Sequence, residues 1–219
     1  MLHPDEDRPL MLTAAHVVGS LSLAHPLGQR EVLLGAAFAR PSSGDPRIGD
    51  VIASHPAEPS EEVQIDASLV RVDEHVTLTQ LVRDTITSGR PRDLNGVDDL
   101  VTVFKHGINT PRLTRGLLDP TPEAFKVVLP QSGGGPALVR DYLRGWFVYG
   151  DGVPFAQPGD SGSIIVDEDD CVVAMLVALR TEPHRPPRPE DPAFVVPILD
   201  VLDGLGVALA GPDRPCTLS

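Results

Sequence analysis

The chain has 219 residues, 41% of them hydrophobic and 22% charged, with a net charge of −13. That is enough apolar sequence for one large packed domain or two small ones. The acidity opposes nucleic-acid phosphates and anionic lipid surfaces, and no run approaches the roughly 20 apolar residues of a membrane span, so neither nucleic acid nor membrane is an expected partner. Aromatics make up only 4%, which leaves the core to Val, Leu, Ile and Ala. With 20 Gly and 23 Pro the chain turns often, which favours short β elements.

In chain order, β-branched or alternating segments predict strands at residues 9–18, 31–39, 51–54 and 63–72, the last alternating through Ile65, Ala67, Leu69 and Val72. Residues 77–84 fit a strand or a short helix, and residues 90–96 are polar and turn-rich, a connection between two halves. Strands resume at 99–105, 112–118, 124–129, 145–149, 163–166 and 171–179. A proline-rich loop spans 183–192, a strand covers 194–198, and residues 199–209 carry Leu199, Leu202 and Leu205 at helical spacing. Two runs of short strands at hairpin spacing predict an all-β protein of two antiparallel barrels or sandwiches. The expected domains are residues 1–95, residues 96–209 and a tail at 210–219.

The two cysteines, Cys171 opening an apolar run and Cys216 in a polar tail, make no disulfide framework and read as thiols of a reducing compartment. The acidic N-terminal segment lacks the apolar core of a signal peptide, so a cytoplasmic location is expected. The histidines outside the motifs below lack metal-ligand spacing, and Asp167 to Asp170 read as a solvated hairpin turn. Gly133-Gly134-Gly135 lacks the Lys-Ser/Thr of a phosphate loop. No metal and no cofactor is expected.

Three segments carry chemistry together. Thr13-Ala14-Ala15-His16 ends a strand with small residues and a histidine; Asp66 interrupts an apolar strand; and Gln157-Pro158-Gly159-Asp160-Ser161-Gly162-Ser163 is a glycine-flanked bend before Ile164-Ile165-Val166. A serine hydroxyl needs an adjacent base to act as a nucleophile at neutral pH. Histidine titrates in the right range to be that base, and a carboxylate fixes its tautomer. Burying an aspartate without a partner is costly, so Asp66 in an apolar strand calls for one.

The motifs, in the order His, Asp, Ser with separations of 50 and 95 residues, resemble those of the trypsin/chymotrypsin-like serine proteases, which serve as the general template for this triad. Val103 to Gly107 with Thr110, Thr114 and Gly116, and Phe194 to Ile198 before a terminal helix, are similar to the bacterial, disulfide-free branch of that family. The resemblance spans about residues 10–209. It implies two β-barrels with a short C-terminal helix, Ser161 as nucleophile, His16 as general base and acid, Asp66 as its orienting partner, and an oxyanion hole from the amides of Gly159 and Ser161. It also implies a polypeptide substrate held near Phe155, Ala156, Val177, Ala178 and Leu179; none of these is acidic, so a small or apolar residue is expected before the scissile bond. Phe155 is a candidate to occlude that pocket. Val177 stands where the family often has a side chain supporting the catalytic aspartate, and Val17 where it often has a cysteine. Only 15 residues precede His16, so the expectation is one of three: a natural start upstream of Met1, a domain of a longer protein, or a first barrel incomplete at its N-terminal side. No activation of the zymogen type through Asp160 is expected. The activity implied is peptide-bond hydrolysis through an acyl-enzyme, the alternatives being a non-cutting binding or regulatory module and a serine esterase. A fused or associated regulatory partner is a further expectation.

Overall fold

The computed structural model describes residues 10–17, 31–33, 47–55, 65–74, 81–82, 85–86, 90–107, 109–110, 113–129, 138–180 and 185–209. In the first half, β1 (Leu10–Ala14), β2 (Glu31–Leu33), β3 (Arg47–His55) and β4 (Ala67–Val72) form an antiparallel sheet in the order β1-β4-β3-β2. Two-residue strands β5 (Leu81–Val82) and β6 (Thr85–Ile86) pair as a hairpin, where the sequence left strand and helix open. The second half contains β7 (Val101–Lys105), β8 (Thr114–Leu129), β9 (Leu138–Gly150), β10 (Ile164–Asp167), β11 (Val172–Leu179) and β12 (Ala193–Pro197), closed into an antiparallel barrel in the order β10-β11-β12-β9-β8-β7, with β7 pairing back onto β10. Helix α1 (Ile198–Leu205) follows directly from β12. The chain is all-β as expected, with one closed barrel in the second half and, among the described residues, a four-stranded antiparallel sheet in the first. The proline-rich residues 183–184 and the tail beyond residue 209 lie outside the described residues.

Two strands run longer than the sequence suggests. The strands expected at 112–118 and 124–129 are one strand, β8, which continues through Pro120 and Pro122 between them. The ladder to β9 shifts register between Asp119 and Glu123 and again between Glu123 and Phe125. A bulge is where a strand tolerates a residue with no N–H to give. The resulting β8–β9 hairpin reaches beyond the barrel, and its far part joins Val127, Tyr142 and Phe147 to Leu10, Ile65, Ala67 and Leu69 of the first half in one apolar core. A second core fills the barrel around Leu94, Trp146, Val148 and Phe155. Leu94 belongs to the connecting segment, which docks on the barrel: Pro91 bridges Val172 in parallel, and Arg92 N–H donates to the Val172 carbonyl.

Cys171 is buried, as its place at the head of β11 implies, but it is disulfide-bonded, and no described cysteine is free. Cys216 is the other cysteine in the sequence. This overturns the reading of two thiols kept reduced and removes its support for a reducing compartment. No helix among the described residues is long and apolar enough to cross a membrane.

Candidate active site

The register of β1 with β4 pairs Ala14 with Ala67, so the residues just outside the pair, Ala15 and Asp66, meet across the sheet end. Ala15 N–H donates to the Asp66 carbonyl at 3.1 Å. A turn closed by Val17 N–H on the Ala14 carbonyl then swings His16 over the Asp66 side chain. The His16 backbone N–H donates to Asp66 Oδ1 at 3.1 Å, and its Nδ1 lies 2.6 Å from Oδ2. A carboxylate accepts, so Nδ1 carries the proton and Nε2 of the neutral ring is left as the basic nitrogen. Asp66 is wholly buried and the His16 side chain only 6% exposed. Tyr142 of β9 donates its hydroxyl to the same Oδ2 at 2.9 Å.

The Ser161 bend is built by backbone bonds. Asp160 N–H donates to the Gln157 carbonyl and Ser163 N–H to the Asp160 carbonyl, both at 3.0 Å, with Gly159 at φ 98° and Gly162 at φ 88°. Those left-handed values favour glycine. The bend abuts β1: a Cβ on Gly162 would stand 2.7 Å from Thr13 Oγ1 and 2.8 Å from the Ala14 amide nitrogen. Gly162 N–H donates to the Leu176 carbonyl at 2.8 Å and Leu176 N–H to the Ser163 carbonyl at 2.9 Å, fastening the bend to β11. The ladder between β11 and β12 slips between Leu176 and Ala178. Val177 is thus out of the pairing, and its carbonyl accepts the Ser161 hydroxyl at 2.9 Å. Both side-chain and backbone bonds of His16 go to Asp66, so no hydrogen bond joins His16 to Ser161 among the described residues.

Asp160 anchors the bend from beneath. Its Oδ2 accepts from Lys105 Nζ at 2.9 Å, from the Thr110 hydroxyl at 2.8 Å and from Gln157 N–H at 2.9 Å; its Oδ1 accepts from Asn109 N–H at 3.0 Å. Lys105 also donates to Thr110 Oγ1 at 2.7 Å, and both charged side chains are fully buried. Burial pushes the Asp160 carboxyl up, but the Lys105 ammonium beside it, with the Gln157 and Thr110 donors, holds it below the usual carboxylate value. Burial lowers Lys105 in turn, against the pull of Asp160.

The residues expected to hold substrate divide into two groups. Phe155 is fully buried in the barrel core, its ring 5.5 Å from Lys105 Nζ and its carbonyl accepting from the Thr114 hydroxyl at 3.0 Å. Ala156 is buried in the same core. Val177 is buried against the shared core, whereas Ala178 and Leu179 are partly exposed at the end of β11. Arg180 N–H pairs with the Pro192 carbonyl; by strand alternation, the Leu179 backbone faces away from β12. Sequence reasoning missed Tyr142, Lys105 and Asn109. A lysine alternating with apolar residues in a strand was the available signal for Lys105. Nothing local marked Tyr142.

Among solved structures, the chain is similar to a glutamic acid-specific serine protease that uses a histidine triad in substrate binding, at 16% identity and TM-score 0.52, covering 92% of this chain and 86% of that one. It is similar to Cellulomonas bogoriensis chymotrypsin at 14% identity and TM-score 0.55, covering 92% and 85% of the two chains. Thermobifida fusca Protease A matches at 17% identity and TM-score 0.55, covering 92% and 84%. Neither a protein-family model nor a curated protein sequence matches the chain. The chain therefore has the fold of the trypsin/chymotrypsin-like serine proteases.

Proposed function

We propose that the protein is a serine endopeptidase in which His16, Asp66 and Ser161 act as a catalytic triad. The observation that carries this reading is the bond from His16 Nδ1 to buried Asp66, formed where the Ser161 bend abuts β1. In the proposed reaction the Ser161 hydroxyl leaves the Val177 carbonyl, gives its proton to His16 Nε2 and attacks the substrate carbonyl. The imidazolium that forms is stabilised by Asp66 and then protonates the leaving amine, and water attacks the acyl-enzyme by the same route. The Gly159 and Ser161 N–H groups donate to the tetrahedral oxyanion, a contribution of about 3–4 kcal/mol per donor. The polypeptide substrate lies along the backbone of Leu179, with Val177 and Ala178 beside the residue before the scissile bond. No acidic side chain lies among these, which favours small or apolar residues there. Phe155 and Ala156 act from the core, as packing beneath the bend.

A second reading, a module that binds peptide without turnover, is favoured by one observation: the Ser161 hydroxyl is bonded to Val177 and not to His16. A fluorophosphonate probe separates the two. Labelling of the wild-type protein and not of Ser161→Ala is expected; a folded wild-type protein that stays unlabelled overturns the hydrolase reading. Matched peptide and ester substrates then separate peptidase from esterase.

A further inference from the structure

We infer that Tyr142, on the β8–β9 hairpin, is the positioning residue that locks the Asp66 carboxylate in the plane required to orient His16; the inference rests on the triad reading above. Tyr142 is fully buried and donates to Asp66 Oδ2 at 2.9 Å, the same oxygen that meets His16 Nδ1 at 2.6 Å. Oδ1 faces the His16 backbone N–H at 3.1 Å. A carboxyl group turns about one bond, so donors on both oxygens fix its plane, and the donor shared on Oδ2 sets the direction from which the imidazole is met. Val177, packed in the same core, offers only hydrocarbon from its side chain. The Tyr142 ring is itself pinned, edge-on to Phe194 with centroids 5.3 Å apart, so the hydroxyl is aimed by packing and not by chance rotation.

The bond also joins the two halves. His16 and Asp66 lie just past the ends of β1 and β4 of the first sheet, and Tyr142 belongs to a hairpin continuous with the barrel that carries Ser161. The base is therefore held in register only when the hairpin is docked, which ties the geometry of His16 to the assembly that brings Ser161 alongside it.

Tyr142→Phe keeps the ring and removes the donor. The expected result is a kcat roughly tenfold lower, the loss of one hydrogen bond to a charged group, with KM changed by less than about twofold. The acid limb of kcat/KM moves up in the variant, because Oδ2 no longer shares its charge with a phenol hydrogen. The low-field NMR resonance of the His16 Nδ1 proton shifts with it. That resonance is readable in Ser161→Ala, so an inactive wild-type protein would refute the peptidase reading while leaving this inference testable. If Tyr142→Phe fails to fold, fluorotyrosine incorporated in a Tyr149→Phe background replaces it. The chain has only two tyrosines, and the acid limb should move down as the phenol becomes the stronger donor. A folded Tyr142→Phe whose kcat, acid limb and His16 resonance match wild type, or a fluorotyrosine protein with an unmoved limb, would overturn the inference.

Discussion

Lys105 and Asp160 form a charged pair inside the barrel, both side chains fully buried at 2.9 Å. Removing one partner leaves the other charge in the interior without compensation, so Lys105→Met is expected to cost about 3–5 kcal/mol, whereas Lys105→Met with Asp160→Asn recovers most of that loss. Because the folded Asp160 carboxyl lies below its ordinary value, it binds its proton less readily than in the unfolded chain. Its contribution is complete above the ordinary carboxylate value of about 4 and is lost as pH falls through the folded value. Lys105 is also depressed, so on that group alone stability rises with pH toward the ordinary lysine value near 10.4. Urea midpoints measured from acid to neutral pH check the first of these. The wild-type protein loses stability below about pH 4, and Asp160→Asn shows a shallower fall there. The residue types of the proposed triad were legible in the sequence because an apolar strand does not keep an aspartate without a partner. The support beneath Asp160 was not, since Lys105, Asn109 and Thr110 lie 50 or more residues from it and meet it only in the closed barrel.

At the scale of elements, the end of β1 and the Ser161 bend fit against each other through a position with no room for a side chain. Gly162 has φ 88°, and a Cβ there would stand 2.7 Å from Thr13 Oγ1 and 2.8 Å from the Ala14 nitrogen. Gly162→Ala is expected to lose about 1–3 kcal/mol to backbone strain. It should also move the bend away from His16, lowering kcat at least tenfold, since small misplacements of reacting groups are costly. Thermal denaturation and steady-state kinetics on one preparation measure both. The glycines of the bend were readable as turn residues, but the approach to β1 that requires Gly162 was not. The long β8–β9 hairpin was hidden by Pro120 and Pro122, which local rules assign to a break and the sheet accommodates in bulges.

For the molecule as a whole, a shared core that runs from Leu10 and Leu69 through Tyr142 and Phe194 to Val201 unites the sheet, the hairpin and helix α1. The disulfide at Cys171 adds a covalent tie to the barrel. Thiol titration in denaturant is expected to find no free cysteine before reduction. Reduction should lower stability by about 2–4 kcal/mol, and two free thiols in the unreduced protein would contradict the pairing. The amino-acid sequence by itself determined the all-β class, the strand that presents His16, the buried setting of Asp66 and the bend that presents Ser161, because turn chemistry and side-chain alternation act over a few residues. Only the tertiary structure decided that the first half is a four-stranded antiparallel sheet among the described residues, that Ser161 rests on the Val177 carbonyl, and that Tyr142 reaches Asp66 across 76 residues of chain. Those outcomes depend on which surfaces pack together, and burial selects among packings by area and fit, with no mark in the local sequence.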